Sequence, residues 1–373
     1  MDKDFWEENS ENKDYPDTET SYLGQKTVLN MVCIILSDQI VNTKEESLEF
    51  YSTIPILTPI HFNSFSKIQS VNLRNWKILS MNHFIDSSSI SPIFDKYGMK
   101  FLSAIPKLHQ FANLDLWITE EKIESDFILL KDRILLVFNV MMDGSLLLTT
   151  IRHKGYLNRF FTNFMKKKIK KISYSHAEAI AFLEKKPAFI DDLLSKGIDT
   201  VYNFITLGYL LKRQELDTLE GSDRIKDLLF KLFHNILTSD TNFLLTLDSL
   251  TQFFATGKAL VPLLGPFDFP QEERISYLER FNLYLNGEKS DKVRILNCEL
   301  PNLSILCLPG INIVYYADDT YQSERFYYFE SDSLNNLLKK EISEDDLKTL
   351  DFNGEMWNYC IEELRTNVHP WVY

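Results

Sequence analysis

The pattern of apolar and polar positions divides the chain into three regions, of which the first, residues 25–155, carries short compact apolar runs typical of strands. A continuous run at residues 28–36 predicts a buried strand, and a loose alternation at residues 72–85 predicts another. Runs at residues 134–140 and 145–151 flank the dipeptide Asp143-Gly144. Asp-Gly between apolar runs predicts a β-hairpin in which both turn residues have positive φ.

From residue 156 to about residue 262 the apolar spacing becomes helical. Ser175 and Glu178 form a capping-box sequence, which predicts a helix that begins there and ends before Pro187. The other helices of this region are expected at residues 191–195, 199–214, 222–237 and 239–256.

Residues 263–373 change pattern again, because a helix is followed by four short apolar runs and then by further helices. The runs predict strands at residues 293–298, 303–308, 311–316 and 325–329. The fold class is therefore predicted as α+β, with a strand-rich N-terminal region, a helical middle, and a smaller C-terminal α/β region in which helices flank a short antiparallel strand meander.

The expected domain organisation follows these changes of pattern. Residues 1–24 are acidic and polar, and we expect a disordered tail, because such a segment buries too little apolar surface to offset the entropy of ordering. A strand-rich α+β domain at 25–155, a helical region at 156–262 and a C-terminal α+β domain at 263–373 come next. The sequence shows no internal repeat.

Composition narrows the class of protein but not its activity. The chain has 373 residues, of which 45% are hydrophobic and 25% charged, so it can bury a sizeable core without disulfides. The four cysteines form no Cys-x-x-Cys pair and sit among apolar residues, which favours buried, reduced thiols in a reducing compartment. The N-terminus has no signal-peptide pattern, and no apolar run reaches membrane-spanning length. We expect a soluble, cytoplasmic protein that is not transmembrane.

The sequence contains none of the common catalytic and cofactor-binding motifs. The 12 glycines are too dispersed for the loops that bind dinucleotides or nucleoside triphosphates, which need clustered glycines. The histidines lack metal-ligand spacing, and no serine lies in a nucleophile elbow. We therefore predict no cofactor, metal or catalytic residue, although a zinc site or active site assembled from distant residues stays open. For His176, in the first turn of its helix, we expect a surface role.

A short match to a catalytic motif is more simply interpreted as a turn. Residues 316–319, Tyr-Ala-Asp-Asp, match the palm motif of reverse transcriptases, in which two carboxylates hold metal ions. No upstream strand bears a partner aspartate, and Asp-Asp is common in turns. Asp318 and Asp319 are nevertheless the first carboxylates to test if the protein is an enzyme.

The most distinctive feature is a basic stretch within an acidic protein, whose net charge is −13. Residues 152–171, here called the basic segment, contain no acid, and their apolar residues follow helical spacing. We therefore expect an amphipathic helix across the segment. Its basic residues are the predicted sites of anion or membrane contact: Arg152, Lys154, Arg159, Lys166, Lys167, Lys168, Lys170 and Lys171.

Several interpretations of the basic segment stay open. It is most simply a solvated helix end balanced by acids elsewhere in the fold. It could instead contact anionic lipid or, less favourably in so acidic a protein, a nucleic-acid backbone. A further hypothesis has the acidic tail fold back onto it. We expect a non-enzymatic adaptor or regulatory subunit of the trafficking type, which binds protein partners and contacts an anionic membrane peripherally; the alternatives are an enzyme with a dispersed site and a nucleic-acid-binding module.

Overall fold

The structure, a computed structural model, divides into two compact units. It describes residues 19–54, 67–68, 70–72, 74–75, 77–90, 92–93, 99–109, 112–203, 208–285, 292–296, 303–318, 323–340, 349–350 and 362. The first unit takes its residues from Met1–Ile90 and Lys107–Lys171, and the second from Ser91–Pro106 and Ile172–Tyr373. This division differs from the domain boundaries expected at residues 155 and 262.

An eight-stranded mixed sheet forms the first unit. Its strands are β1 (Glu19–Leu23), β2 (Ser47–Ser52), β3 (Ile78–Asp86), β4 (Asn113–Thr119), β5 (Asp126–Leu130), β6 (Ile134–Val140), β7 (Leu146–Ile151) and β8 (Ile169–Lys171). They lie in the order β1-β7-β6-β5-β2-β3-β4-β8. The pairs β2–β3 and β3–β4 are parallel, and the other pairs are antiparallel. Helices in this part of the chain are α1 (Gln25–Asn42), α2 (Met99–His109), whose residues up to Pro106 belong to the second unit, and α3 (Lys154–Phe164).

The second unit also contains an eight-stranded mixed sheet. Its strands are β9 (Ser173–Ser175), β10 (Thr200–Asn203), β11 (Asn242–Thr246), β14 (Val293–Leu296), β15 (Leu303–Leu308), β16 (Ile311–Ala317), β17 (Glu324–Phe329) and β18 (Thr349–Leu350), in the order β18-β14-β11-β10-β15-β16-β17-β9. A separate two-stranded sheet joins β12 (Lys258–Val261) to β13 (Gly265–Asp268). The helices are α4 (His176–Lys185), α5 (Phe189–Lys196), α6 (Arg213–Leu216), α7 (Asp223–Thr238), α8 (Leu247–Thr256), α9 (Gln271–Leu285) and α10 (Ser333–Leu338).

The two large sheets have the same topology, which reveals a repeat that the sequence did not show. Strands β9, β10, β11, β14, β15, β16, β17 and β18 take the places of β1 to β8. In both sheets the second, third and fourth strands run parallel, the fifth to seventh form an antiparallel meander, and the eighth pairs antiparallel with the fourth. The hairpin β12–β13 is an addition of the second repeat, since the described residues of the first have no counterpart to it.

The α+β fold class is confirmed, and so are several of its local predictions. The meander β15–β16–β17 is present with antiparallel registers, as the apolar runs predicted. Ser175 and Glu178 form the capping box at the start of α4, with the Ser175 N–H donating to the Glu178 carboxylate at 2.9 Å. Both features depend only on residues close together in sequence, which explains why the pattern identified them.

The hairpin at Asp143-Gly144 is also confirmed, but its turn differs from the expected one. Gly144 has a φ of 80°, whereas Asp143 does not have positive φ. The Asp143 carboxylate accepts hydrogen bonds from the N–H and hydroxyl of Ser145, at 2.9 and 2.6 Å. The side chain therefore closes a longer connection between β6 and β7, and only glycine needs the left-handed conformation.

Other predictions were wrong at compact apolar runs, which can form either a helix or a strand. The strand expected at residues 28–36 lies inside α1, whose buried residues, Val28, Val32, Ile35, Leu36 and Ile40, recur every three or four positions. Conversely, the helix expected at residues 199–214 contains β10, and the one expected at residues 239–256 begins with β11. Both strands are buried and pair in parallel with each other, and such strands lack the polar alternation that would have identified them.

Part of the expected disordered tail is ordered. Residues 19–23 form β1, which pairs with β7 from Glu19 opposite Ile151 to Leu23 opposite Leu147. Residues 1–18 of the expected tail lie outside the described residues, and so does the predicted folding of the tail onto the basic segment. Edge pairing with an existing strand orders residues 19–23 although their own composition is polar.

Each unit contains its own buried apolar cluster. In the first unit α3 packs on the sheet around Tyr51, Phe84, Phe127 and Leu157. In the second unit a larger cluster includes Val201, Phe243 and Phe253, together with residues of α4, α7 and α9. No helix within the described residues has both the length and the apolar character needed to cross a bilayer.

Candidate functional site

The basic segment does not form the single amphipathic helix that its spacing predicted. Helix α3 begins after His153, whose Nδ1 accepts the Tyr156 N–H at 3.2 Å, and it ends at Phe164. The chain then turns, and residues 169–171 form β8 at the edge of the sheet beside β4. Lys171 pairs with Trp117 in this register. Pairing with an exposed strand edge therefore overrides the helical spacing of the last residues.

The apolar face of α3 is used for packing within the unit. The Phe161 ring lies 4.8 Å from that of Tyr51, and Phe160 and Phe164 each lie 4.9 Å from Phe127, all edge to face. Such contacts add to the stabilisation that comes from burying the rings. Phe164 is consequently buried, whereas Phe160 and Phe161 pack against the core and stay partly exposed.

Acids of the same unit pair with three lysines of the segment, as the simplest interpretation of the charge run expected. Lys171 lies 3.0 Å from Asp115, Lys167 lies 3.4 Å from Glu121, and Lys168 lies 3.4 Å from Glu120. The Lys168 pair is well exposed, at 80% and 70%, so it contributes little stability. The ammonium of Lys171 also lies 5.7 Å from the centre of the Trp117 ring, a favourable cation–π distance.

Exposed basic side chains make the segment positive. It contains eight basic residues and no acid. Six of the basic residues are exposed: Arg152, Lys154, Arg159, Lys166, Lys168 and Lys170. The structure therefore brings the predicted contact residues together as one surface stretch, of which Lys167 and Lys171 are half-buried.

Asp318 of the Tyr-Ala-Asp-Asp stretch takes part in a turn. The Asp318 carboxylate accepts the Ser323 N–H at 3.2 Å, and the Asp318 N–H donates to the Ser323 carbonyl at 3.1 Å. Both hydrogen bonds close the connection between β16 and β17, which is the turn role considered above. Asp319 lies outside the described residues, among which no three potential ligands form a metal-binding group.

Burial makes Cys307 an unreactive thiol. Cys307 is completely buried in β15, and burial raises the pKa of its thiol well above the usual range. A protonated thiol is a poor nucleophile and metal ligand. Cys33 in α1 is half-buried, and Cys298 and Cys360 lie outside the described residues.

A cleft of about 670 Å³ in the second unit is a site that sequence analysis missed. Its walls come from the start of α4, the loop before α7, the turn between β12 and β13, and the start of β17. The polar side chains that line it are Ser175, His176, Glu220, Ser323, Glu324 and Arg325. A volume of this size is typical of sites for small molecules.

The buried carboxylate of Glu324 is the centre of the polar contacts in this cleft. Its Oε2 lies 3.1 Å from His176 Nδ1 and accepts the Leu263 N–H at 3.1 Å. Its Oε1 accepts the Tyr315 hydroxyl at 3.0 Å. Glu324 is only 5% exposed, whereas the His176 side chain is 48% exposed. A buried acid therefore holds a histidine at the surface of the cleft.

Sequence reasoning could not have found this pair. His176 follows the expectation of a partly exposed residue in the first turn of its helix, but its hydrogen-bond partner is 148 residues away. Leu263 reaches the same carboxylate across 61 residues. No local spacing connects positions so far apart, and only strand pairing between β9 and β17 brings them together.

Comparisons with known proteins leave the family open. No family model matches the sequence, and no curated protein matches it at the significance applied. Among solved structures, the archaeal chromatin protein TrmBL2 aligns with 43% of this chain at 8% identity and a TM-score of 0.27. Polyphosphate kinase from Porphyromonas gingivalis aligns with 93% at 9% identity and a TM-score of 0.29.

A third similarity has the same low score. Phosphatidylserine synthase from Haemophilus influenzae aligns with 94% of this chain and 92% of its own, at 9% identity and a TM-score of 0.29. The chain covers only 56% of the chromatin protein and 56% of the kinase. Scores this low carry no argument about function.

Proposed function

We propose that this chain is a non-enzymatic adaptor or regulatory protein that contacts an anionic membrane surface through the basic segment. The observation that supports this proposal is the exposure of Arg152, Lys154 and Lys166 in a segment that has eight basic residues and no acid. It stands out in a protein whose total charge is −13. The protein partners expected of an adaptor are part of the same proposal, although no surface is assigned to them.

The contact would be electrostatic rather than insertive. Because the α3 aromatics pack against the apolar cluster of the first unit, the contact would be made by guanidinium and ammonium groups at the level of lipid headgroups. Each Lys or Arg near an anionic surface contributes about 1 kcal/mol, and this attraction decays within roughly 10 Å at 0.1 M salt. The acidic remainder of the protein is repelled by the same surface, so the basic segment would face the bilayer.

A charge-reversal variant tests this proposal without disturbing the ion pairs. We expect the triple variant Arg152→Glu, Lys154→Glu, Lys166→Glu to bind vesicles of phosphatidylserine and phosphatidylcholine on the order of 100-fold more weakly, because three contributions of about 1 kcal/mol are lost. Co-sedimentation at several vesicle concentrations measures the change. Raising the salt to about 0.5 M should weaken wild-type binding, since screening shortens the range of the attraction.

The matched control is a triple variant, Lys26→Glu, Lys44→Glu, Lys185→Glu, which reverses the charge of three exposed lysines outside the basic segment. It makes the same change in net charge, so it should bind vesicles almost as the wild type does. Equal loss in both variants, or no vesicle binding by the wild type, would refute the proposal. Salt-dependent RNA binding that only the first variant loses, without vesicle binding, would favour the nucleic-acid interpretation instead.

A further inference from the structure

One corner of the fold differs in character between the two repeats. It lies where the first strand ends, the sixth strand ends and the seventh strand begins. In the first repeat this corner carries Leu23, 58% exposed, and Val140, 75% exposed. In the second repeat the same places are held by Ser175, Ala317 and Glu324, with His176 directly after the first strand. An apolar corner in one repeat therefore corresponds to a polar pair in the other.

Packing alone does not account for the polar corner. Burial of a carboxylate is costly unless donors satisfy it, and Glu324 obtains three of them, from His176, Leu263 and Tyr315. Leu263 donates from a backbone with a φ of 67°, a conformation that leucine rarely adopts. It belongs to the hairpin β12–β13, which the second repeat adds. Strained backbone that supports a buried charge is characteristic of functional sites.

The arrangement fixes one nitrogen of His176 and leaves the other for a ligand. With Nδ1 against the Glu324 carboxylate, Nε2 is the nitrogen that remains to contact a molecule in the cleft. It donates a hydrogen bond when the ring is protonated and accepts one when the ring is neutral. Carboxylates that orient histidines in this way are common behind histidines that bind or transfer protons. Glu324 is therefore a positioning residue, and His176 is the contact residue.

The other walls of the cleft favour an anion with an apolar remainder. The positive charge comes from Arg325, which lines the cleft and whose Nη1 donates to the Glu324 carbonyl at 3.0 Å. The start of α4 also lies at the cleft, but the Glu178 carboxylate already accepts the Ser175 N–H there at 2.9 Å. Ile180 and Leu264 supply apolar surface. The exposed Glu220 at the cleft opposes an anion, so we expect weak rather than tight binding of a bare ion.

We propose that this cleft binds a small phosphate-bearing molecule, with His176 Nε2 in contact with the phosphate. Phosphate at neutral pH carries both protonated and unprotonated oxygens, so it pairs with Nε2 in either state of the ring. The cleft is larger than phosphate alone, and its apolar side would receive the organic part of the ligand. This proposal is independent of the one for the basic segment, since none of their residues are shared.

Chemical modification with inorganic phosphate as the probe gives a readout at the site itself. Diethyl pyrocarbonate acylates histidine nitrogens, and peptide mass spectrometry reports the rate at each histidine. We expect about 20 mM phosphate to slow modification of His176 at least threefold, while exposed His234 in α7 is modified at an unchanged rate. Equal rates at His176 with phosphate and with chloride at matched ionic strength would overturn the proposal.

A second experiment titrates phosphate into the wild type and into variants and measures the affinity by calorimetry. We expect His176→Gln to weaken binding at least tenfold and Glu324→Gln to weaken it less, because the imidazole stays but loses its orientation. His234→Gln is the matched control and should bind as the wild type does. Unchanged affinity in His176→Gln would refute the site. The triple variant of the basic segment should keep its phosphate site, and His176→Gln should keep its vesicle binding, so the two proposals can fail separately.

Discussion

His83 is an uncharged histidine in the interior of the first unit. It lies opposite Ser52 in the parallel register of β2 and β3, and it is 2% exposed. Its Nδ1 and the Ser52 hydroxyl lack hydrogen-bond partners among the described residues. Burial lowers the pKa of His83 to about 3, against an opposing effect of a hydrogen bond with the Ser52 main chain. This side chain consequently makes stability depend on pH.

The sign of that dependence follows from the two states of the chain. The unfolded chain takes up a proton at His83 near pH 6.5, whereas the folded chain does so only near pH 3. Between these values the unfolded state binds more protons, so the free energy of unfolding falls as the pH is lowered, by up to about 1.4 kcal/mol per pH unit. Urea unfolding measures the free energy of unfolding at pH 7 and at pH 5. Between these two pH values it should fall by about 2 kcal/mol less in His83→Phe than in the wild type. The control variant His234→Gln should show the same dependence of the free energy of unfolding on pH as the wild type. If His83→Phe also showed the wild-type dependence, His83 would not be the neutral buried histidine that we expect.

At the scale of elements, an ion pair fastens α9 to α6 in the second unit. The guanidinium of Arg280 donates to both carboxylate oxygens of Glu215, at 2.6 and 2.7 Å, and also to the Leu210 carbonyl at 3.1 Å. Both side chains are about one-fifth exposed. Burial raises the pKa of Glu215, but the hydrogen bonds from Arg280 and the Lys212 main chain outweigh it and hold that pKa below the usual value.

Removing this pair should destabilise the second unit measurably. We expect Arg280→Ala to lower the free energy of unfolding by about 2 to 3 kcal/mol, because it leaves a half-buried carboxylate without its bidentate partner. Lys258→Ala is the comparison variant, since its pair with Asp268 is 3.7 Å long and exposed on both sides. That change should cost less than about 0.5 kcal/mol. Equal effects of the two substitutions in chemical denaturation would show that the bidentate geometry contributes nothing.

The described residues form two eight-stranded sheets of identical topology, and each unit has its own apolar cluster. Repetition of a fold within one chain allows the two copies to diverge at equivalent positions. The basic segment illustrates this, because it fills the connection between the seventh and eighth strands of the first repeat only. The corner that holds His176 and Glu324 belongs to the second repeat only. The two proposed surfaces therefore lie at places where the repeats differ.

Separate clusters predict that damage to one core stays within its unit. Phe127→Ala in the first unit and Phe253→Ala in the second each remove a buried ring and should cost about 3 to 5 kcal/mol locally. Hydrogen exchange followed by mass spectrometry should then show lost protection in the strands of the unit that carries the substitution. Uniform loss across β3 and β11 in either variant would indicate that the chain opens as one cooperative body.

Local sequence determined the features whose partners are close in the chain. The hairpin at Gly144, the capping box at Ser175 and the meander from β15 to β17 all depend on neighbouring residues, and each was predicted. The net charge and the position of the basic segment also follow directly from the sequence. They could not decide between helix and strand for compact apolar runs such as residues 28–36, because both structures bury such runs.

Tertiary structure alone decided the rest, because it depends on pairing between distant strands. Edge pairing with β4 turned the end of the basic segment from the expected helix into β8, and packing on the sheet fixed the positions of the α3 aromatics. Pairing of β9 with β17 placed His176 against Glu324 across 148 residues. The repeat is likewise a property of strand order, which is conserved between the halves while the side chains are not. Chain connectivity sets which strands can pair, but only the folded sheet shows which side chains meet.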